Sequence, residues 1–96
     1  MCYKDGMELI HPGEVLKEQF LDKHGITQVE LAEHLGISFQ RVNEIINGRR
    51  GITPETAHLL AQAFRTNPDF WLAMQLRYDM DAFTAENKVR QVKPMI

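Results

Sequence analysis

The chain has 96 residues, of which 44% are hydrophobic and 25% charged, with a formal net charge of −2 and one cysteine. This length suits a single domain with one modest core, and the composition is typical of a soluble globular protein. No apolar run approaches the roughly 20 residues of a membrane span, and the N-terminus lacks a signal-peptide pattern. One cysteine excludes an internal disulfide and a multi-thiolate zinc site, so we expect a cytoplasmic protein without a metal site or cofactor.

The chain opens with residues 1–11, which show no helical period and are predicted to form a flexible or extended N-terminal arm. Pro12 then stands where a first helical turn favours proline. Apolar residues recur on one face after it, and Gly25 provides a stop. This pattern predicts a first helix from Pro12 to Lys23.

Two short amphipathic helices joined by a glycine turn are predicted next. Thr27 is a favourable N-cap, and Glu30 three residues later completes a capping box for the second helix. Gly36 lies just past the end of that helix, where a left-handed residue is usually needed. Ser38 then caps a third helix over 39–47. The positions predicted to face inward or to lie at the helix contact are Leu31, Ala32, Leu35, Ile37, Val42, Ile45 and Ile46, and Val29 is a further apolar position of the second helix.

Two crossing helices of this kind, with the small Ala32 at their closest approach, form a helix-turn-helix over residues 27–48. In this motif the second helix lies in the major groove of DNA. The alternative is an ordinary helical hairpin inside an all-α core. The side chains predicted to contact DNA are Gln28, Ser38, Phe39, Gln40, Arg41, Asn43, Glu44, Arg49 and Arg50.

These candidate side chains differ in what they can recognise. Gln40 has the geometry to contact adenine through two hydrogen bonds, and Arg41 can reach a guanine or a phosphate. Glu44 can accept only from a cytosine amino group and would otherwise repel phosphate. Phe39 could pack against a thymine methyl or fold back on the core, and both alternatives stay open. The two arginines of the following loop are predicted to clamp phosphates, because adjacent glycines let the backbone approach DNA.

The charge distribution argues mildly against DNA binding, because such domains usually present a basic face. No segment of the chain is basic overall, although three arginines cluster on and just after the third helix. We therefore expect few phosphate contacts per protomer and an affinity that depends on dimerisation or on a partner.

Two further helices are predicted, each with a cap residue followed by proline. Thr53-Pro54 begins the fourth, and Asn67-Pro68 begins the fifth, which should end near Asp79. The fifth helix has more apolar surface than one face of a monomer usually needs, which favours a dimer interface. For Trp71 a core position is an equal alternative. The predicted interface residues are Phe70, Trp71, Met74 and Tyr78.

The predicted fold class is therefore all-α, with five helices and no sheet. The helix-turn-helix domain would span residues 12–80 and include the dimerising fifth helix, and residues 81–96 would form a mobile C-terminal tail. A two-fold dimer would place its two reading helices about 34 Å apart, one turn of DNA.

The helix-turn-helix carries the pattern Gln28-x-x-Leu31-Ala32-x-x-x-Gly36-Ile37-Ser38, followed by Val42, Ile45 and Asn47-Gly48. Over roughly residues 12 to 65 this pattern resembles the phage repressor and Cro superfamily of XRE-type regulators. The strings HPGEVLKEQFL (11–21), INGRRGITPETAHLLAQAF (46–64) and NPDFWLAMQLRYDM (67–80) resemble, more narrowly, the HigA/VapI-type antitoxins. General phage repressors lack the FW-L-x-x-Q-x-x-Y-D spacing that begins at Phe70, and the chain departs from the antitoxin pattern only in having Ala73-Met74 for Asn-Leu.

The resemblance implies a lambda repressor-like fold and a homodimer that binds a palindromic operator, double-stranded DNA in its own promoter. It also implies that Gln28 donates its amide to a phosphate, and that the protein neutralises a HigB-type toxin, a ribosome-dependent mRNA interferase. One alternative is a stand-alone XRE-family transcriptional regulator without a toxin partner. Another is a protein-binding module that has lost its DNA contacts, against which Gln40 and Arg41 argue.

An enzyme is not expected. The four histidines lie on separate segments without a metal-ligand spacing, and the chain has neither a glycine-rich phosphate loop nor a Ser or Cys in a nucleophile motif. Nothing in the pattern indicates a small-molecule substrate.

Overall fold

The computed structural model describes residues 9–96, so most of the predicted N-terminal arm lies outside the described residues. Within residues 9–96 the chain forms five helices and no strand, as the sequence predicts. The first helix, α1, is continuous over residues 12–24 and comprises Pro12–Val15, Leu16–Leu21 and Asp22–His24. The others are α2 (Gln28–Leu35), α3 (Phe39–Ile46), α4 (Pro54–Phe64) and α5 (Pro68–Ala85). None of the helices in this part of the chain has the length and apolarity needed to cross a bilayer.

Every helix begins with a side chain that accepts a hydrogen bond from a backbone N–H of the first turn. The predicted capping box is present: Thr27 Oγ1 accepts from the Glu30 N–H at 3.1 Å, and Glu30 Oε1 accepts from the Thr27 N–H at 2.9 Å. At α1 the cap is His11, whose Nδ1 accepts from the Gly13 N–H at 2.9 Å, a role that the sequence pattern does not indicate. The remaining caps are Ser38, Thr53 and Asn67, each as predicted.

The middle of α1 is a π-helical segment. The Asp22 N–H donates to the carbonyl of Lys17, five residues earlier. Leu16 and Leu21 would lie about 140° apart on a regular α-helix, but the wider turn brings residues five apart to the same side. Both leucines are consequently buried in the core.

The core lies between all five helices, and Trp71 of α5 is fully buried in it, with its ring packed against those of Phe20 and Phe70. The Trp71 indole N–H donates to Thr66 Oγ1 at 2.8 Å. Helix α1 contacts both α3 and α5, and α4 contacts α2 and α5. Val29, the further apolar position of α2, is 51% exposed, because it lies in the first turn of α2, outside the contact of that helix with α3 and α4.

Helix α5 ends at Ala85 rather than near Asp79, so the first part of the predicted tail is helical. No glycine or proline interrupts residues 80–85. An ion pair between Arg77 and Asp81 at 3.1 Å, four residues apart, supports this additional turn. Residues 88–96 have no regular secondary structure and are exposed.

Candidate nucleic-acid interface

Helices α2 and α3 form the predicted helix-turn-helix. Gly36 ends α2 with φ +76°, and the Ile37 N–H donates to the carbonyl of Ala32 at 3.1 Å, which closes the turn. Ala32 is buried where the helices meet, and Val42 and Ile45 of α3 are almost fully buried beneath it. The opposite face of α3 is thereby left toward solvent.

The exposed face of α3 begins with Phe39 and Gln40. Phe39 is 49% exposed, so of the two alternatives for this residue the structure favours the outward one. Helical spacing places Asn47 on this same face, one turn beyond Asn43. Asn47 was not among the predicted contacts, because the sequence pattern marks it as a helix stop.

Glu44 is bonded on both carboxylate oxygens. Its Oε2 accepts from Gln40 Nε2 at 3.1 Å, and its Oε1 accepts from Arg50 Nε at 2.9 Å and lies 2.8 Å from Arg50 Nη2. The hydrogen bonds from Arg50 and Gln40 lower the pKa of the Glu44 carboxyl. Three predicted DNA contacts thus form one hydrogen-bonded group on the surface.

A second hydrogen-bonded chain joins the two helices of the motif. Gln28 Oε1 accepts from Asn43 Nδ2 at 3.0 Å, and Asn43 Oδ1 accepts from Asn47 Nδ2 at 3.1 Å. Because the oxygen of Gln28 is used in this way, its amide N–H groups remain as donors.

Arg41 does not point outward as predicted. Its Nη2 donates to Glu55 Oε1 at 3.0 Å and to Thr56 Oγ1 at 2.9 Å, and its side chain is only 24% exposed. Position 41 lies about 200° around the helix from Phe39, and that side of α3 faces the first turn of α4. The sequence marked Glu55 only as a favourable acid at a helix start, and this tertiary contact was missed.

The loop after α3 presents two exposed arginines. Arg50 bonds Glu44 as described, whereas Arg49 makes no ion pair with any residue from 9 to 96. The loop is attached to α5, since Gln75 Oε1 accepts from the Ile52 N–H at 2.7 Å. One residue of the FW-L-x-x-Q-x-x-Y-D spacing, Gln75, therefore helps to position these arginines.

An open cleft of about 440 Å³ separates this loop from α5. His11 lies at its base, and its ring packs edge-on against Tyr78 with centroids 4.8 Å apart. Burial lowers the pKa of His11, and the carboxylate of Asp79 opposes this effect. In the described part of the chain no group of three His, Cys, Asp or Glu side chains is placed to hold a metal ion.

Most of the predicted dimer residues on α5 pack against other residues of the same protomer. Trp71 is fully buried, which selects the core alternative for it, and Met74 packs against the same core. Tyr78 packs on His11, and Phe70 remains 41% exposed. A different set of apolar side chains is exposed on one face of α5, at i, i+4 and i+7: Leu76, Met80 and Phe83.

A chain with this fold, in which the second helix of the motif, α3, leaves one face to solvent, is a helix-turn-helix protein. The helix-turn-helix family HTH_3 matches residues 16–71, and the chain belongs to it. Virulence-associated protein I of Dichelobacter nodosus is 43% identical over 77 residues, which are 80% of this chain and 71% of that protein. The relatives place the chain in the antitoxin branch of the family, among DNA-binding regulators rather than enzymes.

Two solved structures illustrate this branch. The antitoxin HigA of Pseudomonas aeruginosa, solved with the higBA promoter, has a TM-score of 0.83 and 34% identity, covering 93% of this chain and all of that one. An addiction module antidote protein of a HigA family from Coxiella burnetii has a TM-score of 0.82 and 41% identity, covering 92% of this chain and 99% of that one. The family and fold class predicted from the sequence are thus confirmed.

Proposed function

We propose that this protein binds an operator in its own promoter through α3 and the loop after it, and represses transcription. The observation that carries the proposal is the continuous polar surface of Gln40, Glu44 and Arg50, next to the exposed Phe39, on the second helix of the motif. A structural relative solved with promoter DNA supports it. In this proposal Phe39 and Gln40 contact base edges, Gln28, Ser38 and Arg49 contact phosphates, and Arg50 stays paired with Glu44.

Arg41 receives a different role in the proposal. Because its guanidinium is bonded to Glu55 and Thr56, it holds α3 against α4 rather than reading a base. Asn43 likewise holds α3 against α2 through Gln28. We expect both side chains to act by positioning the reading helix.

We also infer that the protein acts as a dimer through α5. The support is the exposed stripe of Leu76, Met80 and Phe83, since apolar side chains at this spacing on one helix face usually meet a partner. A dimer doubles the number of phosphate contacts, which this nearly neutral protomer needs. Met80→Glu should therefore give a monomer in sedimentation and weaken operator binding.

The proposed second activity is neutralisation of a HigB-type toxin. Its support is the similarity to relatives named antitoxin HigA, which extends over nearly the whole chain. Coexpression with the neighbouring gene tests it: a small basic protein should copurify and lose its toxicity. If nothing copurifies and the neighbour is harmless, the protein is a stand-alone regulator.

The DNA-binding proposal is tested by fluorescence anisotropy on a duplex that spans the promoter, at several salt concentrations. Gln40→Ala should cost about 1–3 kcal/mol at one base position, whereas Arg49→Ala should weaken every duplex alike and reduce the salt slope. Glu33→Ala, which removes an exposed charge from α2, is the control and should not weaken binding. Equal, weak binding to promoter and scrambled duplexes, unchanged by either substitution, would refute the proposal.

A further inference from the structure

The carboxylate of Glu44 lies within the reading surface, and both of its oxygens already accept hydrogen bonds from neighbouring side chains. One oxygen accepts from Gln40 Nε2, and the other from Arg50 Nε. Its side chain is 27% exposed, less than the 48% of Arg50. A negative charge held at this place would weaken DNA binding if it had no other effect, because the groove is flanked by phosphates.

The contact with Gln40 determines which donors and acceptors that side chain presents. A glutamine amide has two N–H donors and one carbonyl acceptor. With one N–H engaged by Glu44, Gln40 retains one donor and one acceptor, and the amide cannot turn over without breaking the 3.1 Å hydrogen bond. One donor beside one acceptor is the pair that the major-groove edge of adenine requires, whereas guanine presents two acceptors.

We propose that Glu44 is a positioning residue for sequence recognition: it fixes the Gln40 amide in the orientation that reads adenine and holds Arg50 back from unspecific phosphate contact. This inference rests on the proposed DNA binding and assigns a role within it. It differs from the sequence-based expectation that Glu44 accepts from a cytosine amino group, because in the structure the carboxylate accepts from Gln40 and Arg50.

Two effects of opposite sign follow for Glu44→Ala. The Gln40 amide becomes free to turn and to offer donors to guanine, so discrimination between adenine and guanine at that base pair should fall, by about fivefold or more. Arg50 loses its partner and becomes available to phosphate, so affinity for scrambled DNA should rise, and its salt slope should steepen by about 0.9 per protomer. A residue that only stabilised the fold would lower both affinities together.

The experiment measures anisotropy of the full chain on the promoter duplex and on duplexes with single base-pair changes. The base pair read by Gln40 is identified first, as the one where Gln40→Ala abolishes discrimination. Glu44→Ala should reduce discrimination at this base pair and not at the others. The double variant Gln40→Ala/Glu44→Ala should discriminate there no worse than Gln40→Ala alone, because Glu44 acts through Gln40.

The controls separate the possible outcomes. Glu33→Ala removes a carboxylate outside the network and should leave discrimination unchanged. If Glu44→Ala is unfolded by circular dichroism, Glu44→Met, which keeps the length of the side chain but has no oxygen to accept from Gln40, takes its place in the same cycle. Unchanged discrimination, or an equal loss at all base pairs, overturns the positioning role. A wild-type protein that prefers no duplex overturns the proposed function itself, and the two failures are thus distinguishable.

Discussion

The contact between α1 and the reading helix depends on the absence of a side chain at position 13. A Cβ atom added to Gly13 would lie 1.8 Å from the carbonyl oxygen of Ile45 and 2.7 Å from its carbonyl carbon. Cβ atoms in proteins are essentially never found within 3.0 Å of such atoms. Gly13→Ala would therefore force α1 and α3 apart by about 1.2 Å, the difference between this limit of 3.0 Å and the 1.8 Å distance to the Ile45 oxygen.

Two opposing free energies decide the outcome of this substitution. Alanine is favoured over glycine within a helix by up to about 1 kcal/mol. Separating two packed helices by this distance costs contacts along the whole interface, about 3–4 kcal/mol, at the upper end of overpacking effects. We expect a net loss of about 2–3 kcal/mol in the free energy of unfolding, which lowers Tm by about 10 °C or more in a domain of this size.

Urea denaturation followed by the fluorescence of the single tryptophan, Trp71, measures this loss. Gly25→Ala is the matched control: its Cβ would meet nothing within 4 Å, but its φ of +69° is unfavourable for alanine, at about 1–2 kcal/mol. Local propensity alone ranks Gly13→Ala as the more stable variant, and the tertiary contact ranks it as the less stable one. A Gly13→Ala protein at least as stable as Gly25→Ala would refute the close approach of α1 and α3.

Three further experiments test contacts elsewhere. Because burial lowers the pKa of His11, the folded protein takes up a proton there less readily than the unfolded chain does. The free energy of unfolding should therefore be constant above the ordinary pKa of 6.5 and fall as the pH drops below it. It should depend less on pH in His11→Asn, which keeps an oxygen to cap α1. Urea midpoints equal at about pH 7.5 and 5.5 would contradict this. Trp71→Phe leaves the Thr66 hydroxyl without its indole donor and should cost about 1–3 kcal/mol, and an unchanged midpoint would exclude that bond. A double-mutant cycle on Arg41 and Glu55 should give a coupling of only about 0.5–1 kcal/mol, since Glu55 is 70% exposed, and no coupling would mean that the pair does not form.

The helices, and every cap but His11, were predictable because each depends on a few neighbouring residues. Thr27 with Glu30, Ser38 and the cap-proline pairs at Thr53 and Asn67 act within a single turn, and all are found where expected. The end of α5 was placed too early because no stop residue marks it. The helix therefore continues to Ala85, supported by the ion pair between Arg77 and Asp81.

The site was predictable as a surface but not as a set of contacts. Helical period correctly placed Gln40 outside, since it depends only on α3 itself, whereas it left both alternatives open for Phe39. It could not show that Arg41 reaches the first turn of α4, or that Glu44 and Arg50 pair across six residues, because both contacts depend on how separate segments pack. The same reason hid the exposed stripe of α5, which appears only once Trp71 is known to face the core.

The ion pairs explain how a chain of net charge −2 could still recognise DNA. Arg41 is paired with Glu55 and Arg50 with Glu44, so among the arginines in and just after the motif only Arg49 has no ion pair within residues 9–96. Unspecific affinity comes from phosphate contacts, and so few available cations keep it low. The occupancy of an operator depends on the ratio of specific to unspecific affinity. A reading surface whose charges are internally paired would thus favour specificity over total affinity for DNA. A dimer would restore the affinity by doubling the number of phosphate contacts.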